Sequence, residues 1–438
     1  MSVSYKFSDY LVIKEGNVSG STNFEQPHEI KADPPMKVPE GLQRLAEAFK
    51  KSKEVPIAKE IDPKAGGEKD VTLKSKKLYV VGGAVRDYML GQTPRNYDLC
   101  TDAHPEEVVR IMKNSKPAIT VLKQDPKNGV VKVSVDGEEY EINTLCKKGT
   151  EGEKIFSTNT ADDTQNRDLT INSLYYDLIG DKIVDHVGGI RHLKDGVVKF
   201  NGKASEKLKE NPMHRFRAVR FANQHPNGKI DDEDKKVMAA MSDDDSDSDL
   251  PPDKVREEFL RGLENAHTNT KKFLKSYEEM GLLQKVFPKL ELSLDFPDQL
   301  PKSRAIILAC LLKDNKPAKL VARLKELKYT DREVKDAVFL INLLWFDANF
   351  IYDFKKEILN TSLTKRQIVD WAKMNQLDKN LIEKLVDYKL QVNGNDLIDR
   401  EGLQGDELRD RIRGLEAENF KKTLREEGVA TLGQNYTW

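Results

Sequence analysis

The spacing of apolar and polar residues divides the chain into three parts. From Leu78 to about Val198, apolar residues alternate with polar ones, which is the pattern of strands that expose one face. Beyond Phe200 the apolar residues recur with the period of an amphipathic helix, and this period continues towards the C-terminus. Residues 1–75 are rich in Gly, Pro, Ser, Lys and Glu. We therefore predict a mixed α/β head followed by an all-α second half.

Individual segments give the predicted elements of the head. Five runs predict strands (LYVV, NYDLC, VVKVSV, EEYEIN and KIVDHV), and PEEVVRIM and RDLTINSLYYD predict helices. Within residues 1–75 only GLQRLAEAFKKSK, at 41–53, has helical spacing, so we predict that the rest of this part is flexible. We place the head at 76–200, a helical neck at 201–290, and a helical body and tail at 291–438.

An acidic stretch interrupts the helical half of the chain. The sequence MSDDDSDSDLPPD, at 241–253, clusters Asp, Ser and Pro without a rigid frame around them. Such a charge run is typical of a solvated loop rather than of a ligand site. We predict an acidic loop within the neck.

Composition and charge exclude several classes of protein. At 438 residues the chain exceeds one ordinary domain, and its 72 basic residues nearly balance its 73 acidic ones. No net charge therefore attracts nucleic acid or an anionic membrane, and any basic surface must be local. The apolar runs are too short to cross a bilayer, and no leader pattern opens the chain. We predict a soluble, cytoplasmic protein with no membrane partner.

The cysteines do not form a recognisable site. Cys100, Cys146 and Cys310 stand apart, with no CxxC pair and no histidine at ligand spacing. Neither a zinc site nor a disulfide framework is expected. A reducing compartment fits this pattern.

A strand, two glycines and a short helix open the head in LYVVGGAVRDYMLG. Gly82 and Gly83 allow backbone N–H groups and a helix terminus to face an anion such as a triphosphate, although a tight turn is the simpler interpretation. The later glycines of a dinucleotide fingerprint are missing, and GVVKFNGKA fails the P-loop pattern. Arg86, one turn into the helix, can reach a phosphate, and Asp87 can orient it.

Acidic side chains on the following strands are candidate metal ligands. Alternation in NYDLC places Asn96 and Asp98 on one face. In EEYEIN, Tyr140 and Ile142 are expected to point into the core, so Glu141 faces outwards. We expect Glu141 to lie beside Asp98.

These residues resemble the class II nucleotidyltransferases, the family of CCA-adding tRNA nucleotidyltransferases and bacterial poly(A) polymerases. Four segments resemble family motifs in the family's order: GGAVRDYMLGQTPRNYDLCTDAHPEEV, NRDLTINSLYYD, ENPMHRFRAVRFA and VNGNDLIDREGLQGDELRDRIRGLE. The resemblance spans Leu78 to about Leu424, and the last segment favours the CCA-adding type. It implies a polymerase-β-like head and the template-independent addition of CMP and AMP, from CTP and ATP, to a tRNA 3′ end.

The resemblance also implies phosphoryl transfer assisted by two metal ions, Mg²⁺ or alternatively Mn²⁺. Asp98 and Glu141, with Asn96, are then the catalytic and metal-binding candidates. The candidate nucleotide-binding residues are Gly82, Gly83, Arg86, Asp87, Arg167, Asp168, Asn172, Asn211, His214, Arg217 and Arg220. Arginines at helical spacing are often only solvated or paired, and a carboxylate before an apolar helix is often only its N-cap.

The chain departs from the family pattern at four positions. The family's first metal aspartate is Asn96 here, and the first arginine of its RRD segment is Asn166. Its base-reading aspartate and arginine in the neck are Asn211 and His214. An asparagine brings no charge to a hard cation, so metal affinity should fall. The neck pair has a different donor and acceptor pattern from Asp and Arg, which leaves the choice of base open.

Two hypotheses about function follow. The first is a working nucleotidyltransferase, adding CCA or poly(A), in which Asn96 supports slower or Mn²⁺-assisted chemistry. The second is an RNA-binding or structural homologue whose head no longer catalyses. The presence of Arg86, Arg167, Asp168 and Arg217 favours the enzyme, because a site without catalysis would not need them. Basic side chains on the C-terminal helices are candidates for holding the RNA backbone: Lys271, Lys272, Lys275, Lys319 and Arg323. The oligomeric state is left open.

Overall fold

The fold was analysed in a computed structural model of the chain. The structure describes residues 28–61, 68–149, 153–225, 227–241, 250–265, 270–298 and 300–428. The chain divides into two compact units, one formed by Met1–His214 and Asn227–Met238, the other by Arg215–Pro226 and Ala239–Trp438. The finer division into head, neck, body and tail stays a prediction.

A mixed β-sheet forms the centre of the first unit. The described strands are β1 (His28–Lys31), β2 (Pro56–Ile61), β3 (Glu68–Thr72), β4 (Leu78–Val81), β5 (Asp98–Thr101), β6 (Thr120–Asp125), β7 (Val130–Val135), β8 (Glu138–Thr144), β9 (Cys146–Lys148), β10 (Lys154–Phe156), β11 (Leu174–Asp177), β12 (Lys182–Asp185), β13 (Val197–Val198) and β14 (Lys229–Ile230). Eight of these strands pair in the order β1-β12-β11-β4-β5-β8-β7-β6. Neighbours in this sheet are antiparallel except β5 and β8, which are parallel. The predicted mixed-sheet head is confirmed.

Helices follow the strands and make up most of the remaining chain. The described helices are α1 (Glu40–Lys50), α2 (Gly83–Met89), α3 (Pro105–Asn114), α4 (Thr160–Thr164), α5 (Gly189–Asp195), α6 (Ala204–Glu210), α7 (Met213–Gln224), α8 (Asp232–Ala240), α9 (Pro252–Asn265), α10 (Thr270–Glu279), α11 (Leu283–Val286), α12 (Arg304–Leu312), α13 (Pro317–Glu326), α14 (Asp331–Leu343), α15 (Ile351–Ile358), α16 (Lys365–Met374), α17 (Lys379–Asp387), α18 (Gly394–Glu401) and α19 (Gly405–Glu426). The predicted helical second half is confirmed, apart from the short strand β14, which pairs with β13.

Both faces of the central strands are covered. On one face Tyr79, Val81, Tyr175 and others form a buried cluster. On the other face α1 approaches so closely that a Cβ on Gly41 would lie 2.9 Å from the hydroxyl oxygen of Tyr140. The predicted burial of Tyr140 and Ile142 on β8 is confirmed.

The predicted helix RDLTINSLYYD is wrong. Thr170–Asn172 form a single 3-10 turn, and the following residues form β11. This strand pairs with β4 on one side and β12 on the other, and all its residues are buried. A strand buried on both faces has no alternation of apolar and polar residues, so its sequence can be mistaken for that of a helix.

The N-terminal part of the first unit also differs from the prediction of a flexible segment over residues 1–75. Strand β1 forms the edge of the main sheet beside β12, and β2 pairs with β3. Helix α1 confirms the helix predicted near 41–53 and buries Leu42, Leu45 and Phe49. A short, largely polar edge strand such as HEIK gives no periodic signal, which is why it was missed. Residues 1–27 lie outside the described residues.

Aromatic side chains fill part of the core of the second unit. The ring of Phe259 lies 5.3 Å from Tyr277 and 5.3 Å from Phe287, both in edge-to-face geometry. Such pairs add to the stabilisation that comes from burial alone. In the same unit, residues 242–249 of the predicted acidic loop lie outside the described residues. No helix in the described part of the chain is long and apolar enough to span a membrane.

Candidate active site

A row of side chains crosses the main sheet where β4, β5 and β8 lie side by side. Val81 on β4 is the register partner of Asp98 on β5, and Leu99 is the partner of Ile142 on the parallel strand β8. Continuing the second register back by one residue sets Glu141 level with Asp98. Neighbouring strands lie about 4.8 Å apart, and residues at the same level point to the same face. The two carboxylates therefore share one place on the sheet.

Both carboxylates of this row are exposed, although the residues that follow them in each strand are buried. The Asn143 amide donates a hydrogen bond to Glu141 Oε1 at 3.4 Å. Two acidic side chains at adjacent positions suit a hard divalent cation, which prefers oxygen ligands. Within the described ranges no group of three or more His, Cys, Asp or Glu side chains could hold a metal ion. The donor set is thus a pair of carboxylates.

Asn96 lies outside the strand that carries Asp98. Strand β5 begins at Asp98, and the exposed Asn96 precedes it in irregular chain. The alternation used to place both side chains on one face therefore does not apply to Asn96. Its predicted role beside the metal stays a prediction.

The glycine turn begins one residue beyond this row. Gly82 has φ 75° and ψ −125°, a conformation that only glycine adopts readily. Its N–H donates to the carbonyl of Leu174 at 3.2 Å, which ties the turn to the start of β11. Gly83 then begins α2. The turn is thus next to the carboxylate pair, as the sequence pattern predicted.

A polar network fixes Arg86 beside the glycine turn. Its guanidinium donates to Asn172 Oδ1 at 2.8 Å and to Asp87 Oδ1 at 2.9 Å. The Asn172 amide in turn donates to Asp168 Oδ1 at 3.3 Å, and Asn172 and Asp168 are both buried. Four predicted site residues are therefore brought together, and the cation of Arg86 is held in one orientation. Because a 3-10 turn and a strand follow Asp168, it is not the N-cap of an α-helix.

Arg167 takes part in a second network on the same face of the sheet. Its guanidinium donates to Asp163 Oδ2 at 2.9 Å and 3.2 Å, and the Tyr175 hydroxyl donates to the same oxygen at 2.8 Å. Cys100 lies close to this network, and burial raises the pKa of its thiol. Sequence reasoning missed Asp163, although its i,i+4 spacing from Arg167 was a signal for this ion pair. The predicted phosphate contact of Arg167 stays a prediction.

Lys132 is another residue that sequence reasoning missed. It is the register partner of Glu141 on β7, and its ammonium group lies 2.6 Å from Glu139 Oε2. The hydrogen bond to Glu139 raises the pKa of Lys132. The alternation in VVKVSV places this lysine on the exposed face, so the signal was present. Its position brings a positive charge to the edge of the carboxylate pair.

Asn211 and His214 lie where α6 ends and α7 begins. Asn211 Oδ1 accepts a hydrogen bond from the Met213 N–H at 3.0 Å, and His214 Nδ1 lies 3.1 Å from the carbonyl oxygen of Lys207. The Lys207 ammonium donates to the carbonyl of Gln165 at 2.6 Å. Burial lowers the pKa of Lys207. This buried lysine, absent from our predictions, connects α6 to the loop that precedes Asp168.

Arg217 and Arg220 belong to the second unit. Arg220 donates to Glu258 Oε2 at 2.7 Å, and its guanidinium lies 4.1 Å from the ring of Phe221. It is therefore a buried, paired arginine within the helical core. The predicted phosphate contacts of both arginines stay predictions.

The other residues with predicted contacts fall into two groups: some donate to backbone carbonyls, and others are exposed. Asn166 donates to the carbonyl of Cys146 at 2.6 Å, so it holds the chain where the family has an arginine. Lys271 and Arg323 donate to the carbonyls of Phe296 and Pro288. Lys272, Lys275 and Lys319 are exposed. The predicted RNA contacts of these basic side chains stay predictions.

The head matches a known family. Residues 78–199 match the family model described as the Poly A polymerase head domain. This part of the first unit is therefore similar to the head domain of poly(A) polymerases, and the resemblance found in the sequence is confirmed.

Similar proteins extend this result beyond the head. Poly(A) polymerase I of Salmonella typhimurium is 29% identical over 231 residues, 49% of this chain and 47% of that protein. The CCA-adding enzyme of Lactobacillus johnsonii is 27% identical over 339 residues, 73% of this chain and 78% of that enzyme. The chain thus spans about half the length of the poly(A) polymerases that it matches. The Thermotoga maritima CCA-adding enzyme, solved with tRNA, has the same fold, with a TM-score of 0.61 at 17% identity, covering 90% of this chain and 97% of that one.

Proposed function

We propose that this protein is a template-independent nucleotidyltransferase that extends the 3′ end of an RNA. We propose further that this RNA is a tRNA. The observation that carries the proposal is the pair of exposed carboxylates, Asp98 and Glu141, level with each other and next to the glycine turn. The head-domain match and the tRNA-bound relative support it. By resemblance, CTP and ATP are the donor nucleotides and CCA is the added sequence.

The reaction is a phosphoryl transfer. The RNA 3′-oxygen attacks the α-phosphorus of the triphosphate, the bond from that phosphorus to the β-phosphate oxygen breaks, and pyrophosphate leaves with its electron pair. The hydroxyl proton passes to solvent. A divalent cation, Mg²⁺ or alternatively Mn²⁺, held by Asp98 and Glu141 would supply Lewis acidity and neutralise charge.

The protein's own residues position the triphosphate. The Gly82 turn lets backbone N–H groups approach phosphate oxygens without an intervening Cβ. Arg86 is held by Asn172 and Asp87, so its planar guanidinium is already oriented for a phosphate and loses little freedom on binding.

Asn96 lowers the rate of this reaction in our proposal without abolishing it. An amide oxygen can ligate a hard cation, but it contributes no negative charge. We therefore expect weak binding of Mg²⁺ and a faster reaction with Mn²⁺.

A second candidate function is an RNA-binding homologue without catalysis. The observation that favours it is the small donor set, since among the described residues a pair of carboxylates meets at the row and Asn96 lies outside the strand. A third candidate function is poly(A) addition, the activity named for the Salmonella relative. The incorporation experiment below distinguishes all three.

Incorporation of labelled nucleotides distinguishes these functions. Purified protein is incubated with a tRNA that lacks its 3′-terminal nucleotides, with each of the four nucleoside triphosphates in turn, and with Mg²⁺ or Mn²⁺. We expect incorporation that falls by about 100-fold or more in Glu141→Gln, because a metal ligand is lost. The matched control is Glu106→Gln, at an exposed position on α3. Intact tRNA binding without incorporation under either metal would contradict the proposal.

A further inference from the structure

The row of side chains that carries the two carboxylates continues to the edge of the sheet. Glu141 on β8 is the register partner of Lys132 on β7, and Lys132 is in turn the register partner of Lys123 on the edge strand β6. Register partners on neighbouring strands point to the same face of a sheet. Two lysines therefore follow Asp98 and Glu141 on one face.

Both lysines lie on the open face of these strands. Val131 and Val133, on either side of Lys132 in β7, are buried. Val133 is the register partner of Tyr140, the side chain that contacts α1. Because side chains alternate between the two faces, Lys132 points away from this helix. Its side chain is 42% exposed, and Lys123 is exposed as well, so both can reach a ligand on the carboxylate face.

The ion pair of Lys132 with Glu139 does not prevent such a contact. The two side chains are 42% and 56% exposed, and exposed ion pairs contribute little to stability. A phosphate can therefore replace the glutamate as the partner of this ammonium group. Lysines on edge strands often serve only to prevent pairing with another sheet, which could explain Lys123. It does not explain Lys132, which lies on an inner strand.

The order of the groups along the row separates the two substrates. In the proposed reaction the Gly82 turn and Arg86 hold the triphosphate at the β4 end, so pyrophosphate leaves from there. The attacking and leaving oxygens of a phosphoryl transfer lie roughly in line, on opposite sides of the phosphorus. The RNA 3′-oxygen then approaches from the other side of the carboxylate pair, over β7 and β6. The two lysines lie on that side.

The spacing of the lysines fits the backbone of a nucleic acid strand. Neighbouring strands are about 4.8 Å apart, so Lys132 lies about 5 Å and Lys123 about 10 Å from the position of Glu141. A stacked nucleic acid strand carries one phosphate per about 3.4 Å. An RNA whose 3′ end lies at the carboxylate pair therefore brings the phosphates of roughly its last four nucleotides to these lysines.

We propose that Lys132 and Lys123 bind the phosphate backbone at the 3′ end of the acceptor RNA and direct its terminal hydroxyl to the carboxylate pair. The inference rests on the proposed function, because it places the triphosphate at the glycine turn. It adds the side from which the RNA enters, across β6 and β7. Since the contacts are to phosphates, this part of the binding does not depend on base sequence.

The double variant Lys132→Gln, Lys123→Gln of the full chain tests this inference. It should bind a tRNA that lacks its 3′-terminal nucleotides on the order of tenfold more weakly, and its KM for that tRNA should rise accordingly. Each lost phosphate contact should also reduce the slope of log K against log salt by about 0.7. The KM for the nucleoside triphosphate should not change, because the triphosphate lies at the other end of the row. Arginine at both positions should preserve RNA binding.

The matched control removes two lysines from the opposite face of the same sheet. Lys50 and Lys113 are exposed on α1 and α3, helices that pack against each other and against β7. The variant Lys50→Gln, Lys113→Gln should therefore bind the tRNA like the unaltered chain. Thermal unfolding of each variant checks that it is folded.

A tRNA with uncharged methylphosphonate linkages between its last four nucleotides locates the contact. The unaltered chain should bind this RNA more weakly than the ordinary one. The double variant should bind the two RNAs equally, because the change in the protein and the change in the RNA remove the same ion pairs. A double variant that still distinguishes the two RNAs would overturn the inference.

The remaining outcomes separate this inference from the proposed function. Unchanged tRNA binding and KM in the double variant overturns the inference, and the proposed function stands if the unaltered chain incorporates nucleotides. Weakened binding by the double variant, with no incorporation by the unaltered chain, supports the contact with the RNA 3′ end and contradicts catalysis. Absence of tRNA binding by the unaltered chain overturns both.

Discussion

Gly82 shows that single residues shape this site through backbone geometry as well as through charge. We expect Gly82→Ala to lower the free energy of unfolding by roughly 1–3 kcal/mol, the usual cost of a non-glycine residue in such a conformation. Space does not limit the substitution, because the nearest atom to a new Cβ would be the Asn172 carbonyl oxygen at 3.7 Å. Urea unfolding measures the change.

Gly83→Ala is the matched control for that substitution. Gly83 does not have a positive φ, and a Cβ there would lie 3.6 Å from the Arg86 guanidinium, an ordinary contact. Its effect should stay within about 0.5 kcal/mol. Equal losses of stability in the two variants would show that the conformation of Gly82 is not what the turn requires.

A negative charge at position 96 should strengthen the binding of the proposed metal ion. Asn96 is exposed and stands two residues before Asp98, so Asn96→Asp adds negative charge near the proposed cation. We expect the rate of incorporation with Mg²⁺ to rise by about tenfold. Asn114→Asp adds the same charge at an exposed position on α3 and should have no effect. An unchanged rate in Asn96→Asp would contradict the proposal that the missing charge at this position slows the reaction.

At the scale of secondary-structure elements, sequence reasoning identified strands that expose one face but failed for a strand that is buried on both faces. Strands with one exposed face, such as β7 and β8, were predicted correctly because their apolar and polar residues alternate. Strand β11 was mistaken for a helix because both its faces are buried. The pattern could suggest that Asp98 and Glu141 face outwards, but their lateral pairing depends on β5 and β8 being parallel neighbours, which no local pattern encodes.

One contact that sequence reasoning missed joins residues that are distant in the chain. The contact of Lys207 with Gln165 joins residues separated by 42 positions. Such contacts result from tertiary packing, so propensity and periodicity do not predict them.

Asp234 on helix α8 makes the stability of the first unit depend on pH. Burial raises the pKa of Asp234 from 3.8 to about 6, although its carboxylate accepts a hydrogen bond from the Phe200 N–H at 2.6 Å. Because the folded state binds this proton more tightly than the unfolded state, stability falls as pH rises from about 4 to about 6 and then levels off. One pKa unit corresponds to about 1.4 kcal/mol, so this residue destabilises the fold by up to about 3 kcal/mol at pH 8.

The variant Asp234→Asn removes this titration while keeping an oxygen that can accept from Phe200. We expect the variant to be more stable than the unaltered protein at pH 8, by up to about 3 kcal/mol. The difference should disappear at pH 4, where the unaltered carboxyl is neutral in the folded state. Urea unfolding at a series of pH values measures it. A variant that is less stable at pH 8 would contradict the raised pKa.

At the scale of the whole molecule, the nearly balanced charge means that the RNA binding we propose would rely on local surfaces. The chain has 72 basic and 73 acidic residues, so long-range attraction to RNA is weak. Among the basic residues that we predicted to bind RNA, Lys271 and Arg323 already donate to backbone carbonyls, whereas Lys275 and Lys319 are exposed. The exposed lysines are therefore the better candidates for phosphate contacts.

The binding of Mn²⁺, followed by the loss of its free-ion electron paramagnetic resonance signal, tests the carboxylate pair most directly. If Asp98 and Glu141 hold one ion together, Asp98→Asn and Glu141→Gln should each weaken binding by about tenfold or more. The double variant should then bind little worse than either single variant, because residues that share a partner are not additive. Glu106→Gln, at an exposed position on α3, should bind Mn²⁺ like the unaltered protein. Unchanged affinity in both Asp98→Asn and Glu141→Gln would contradict the account.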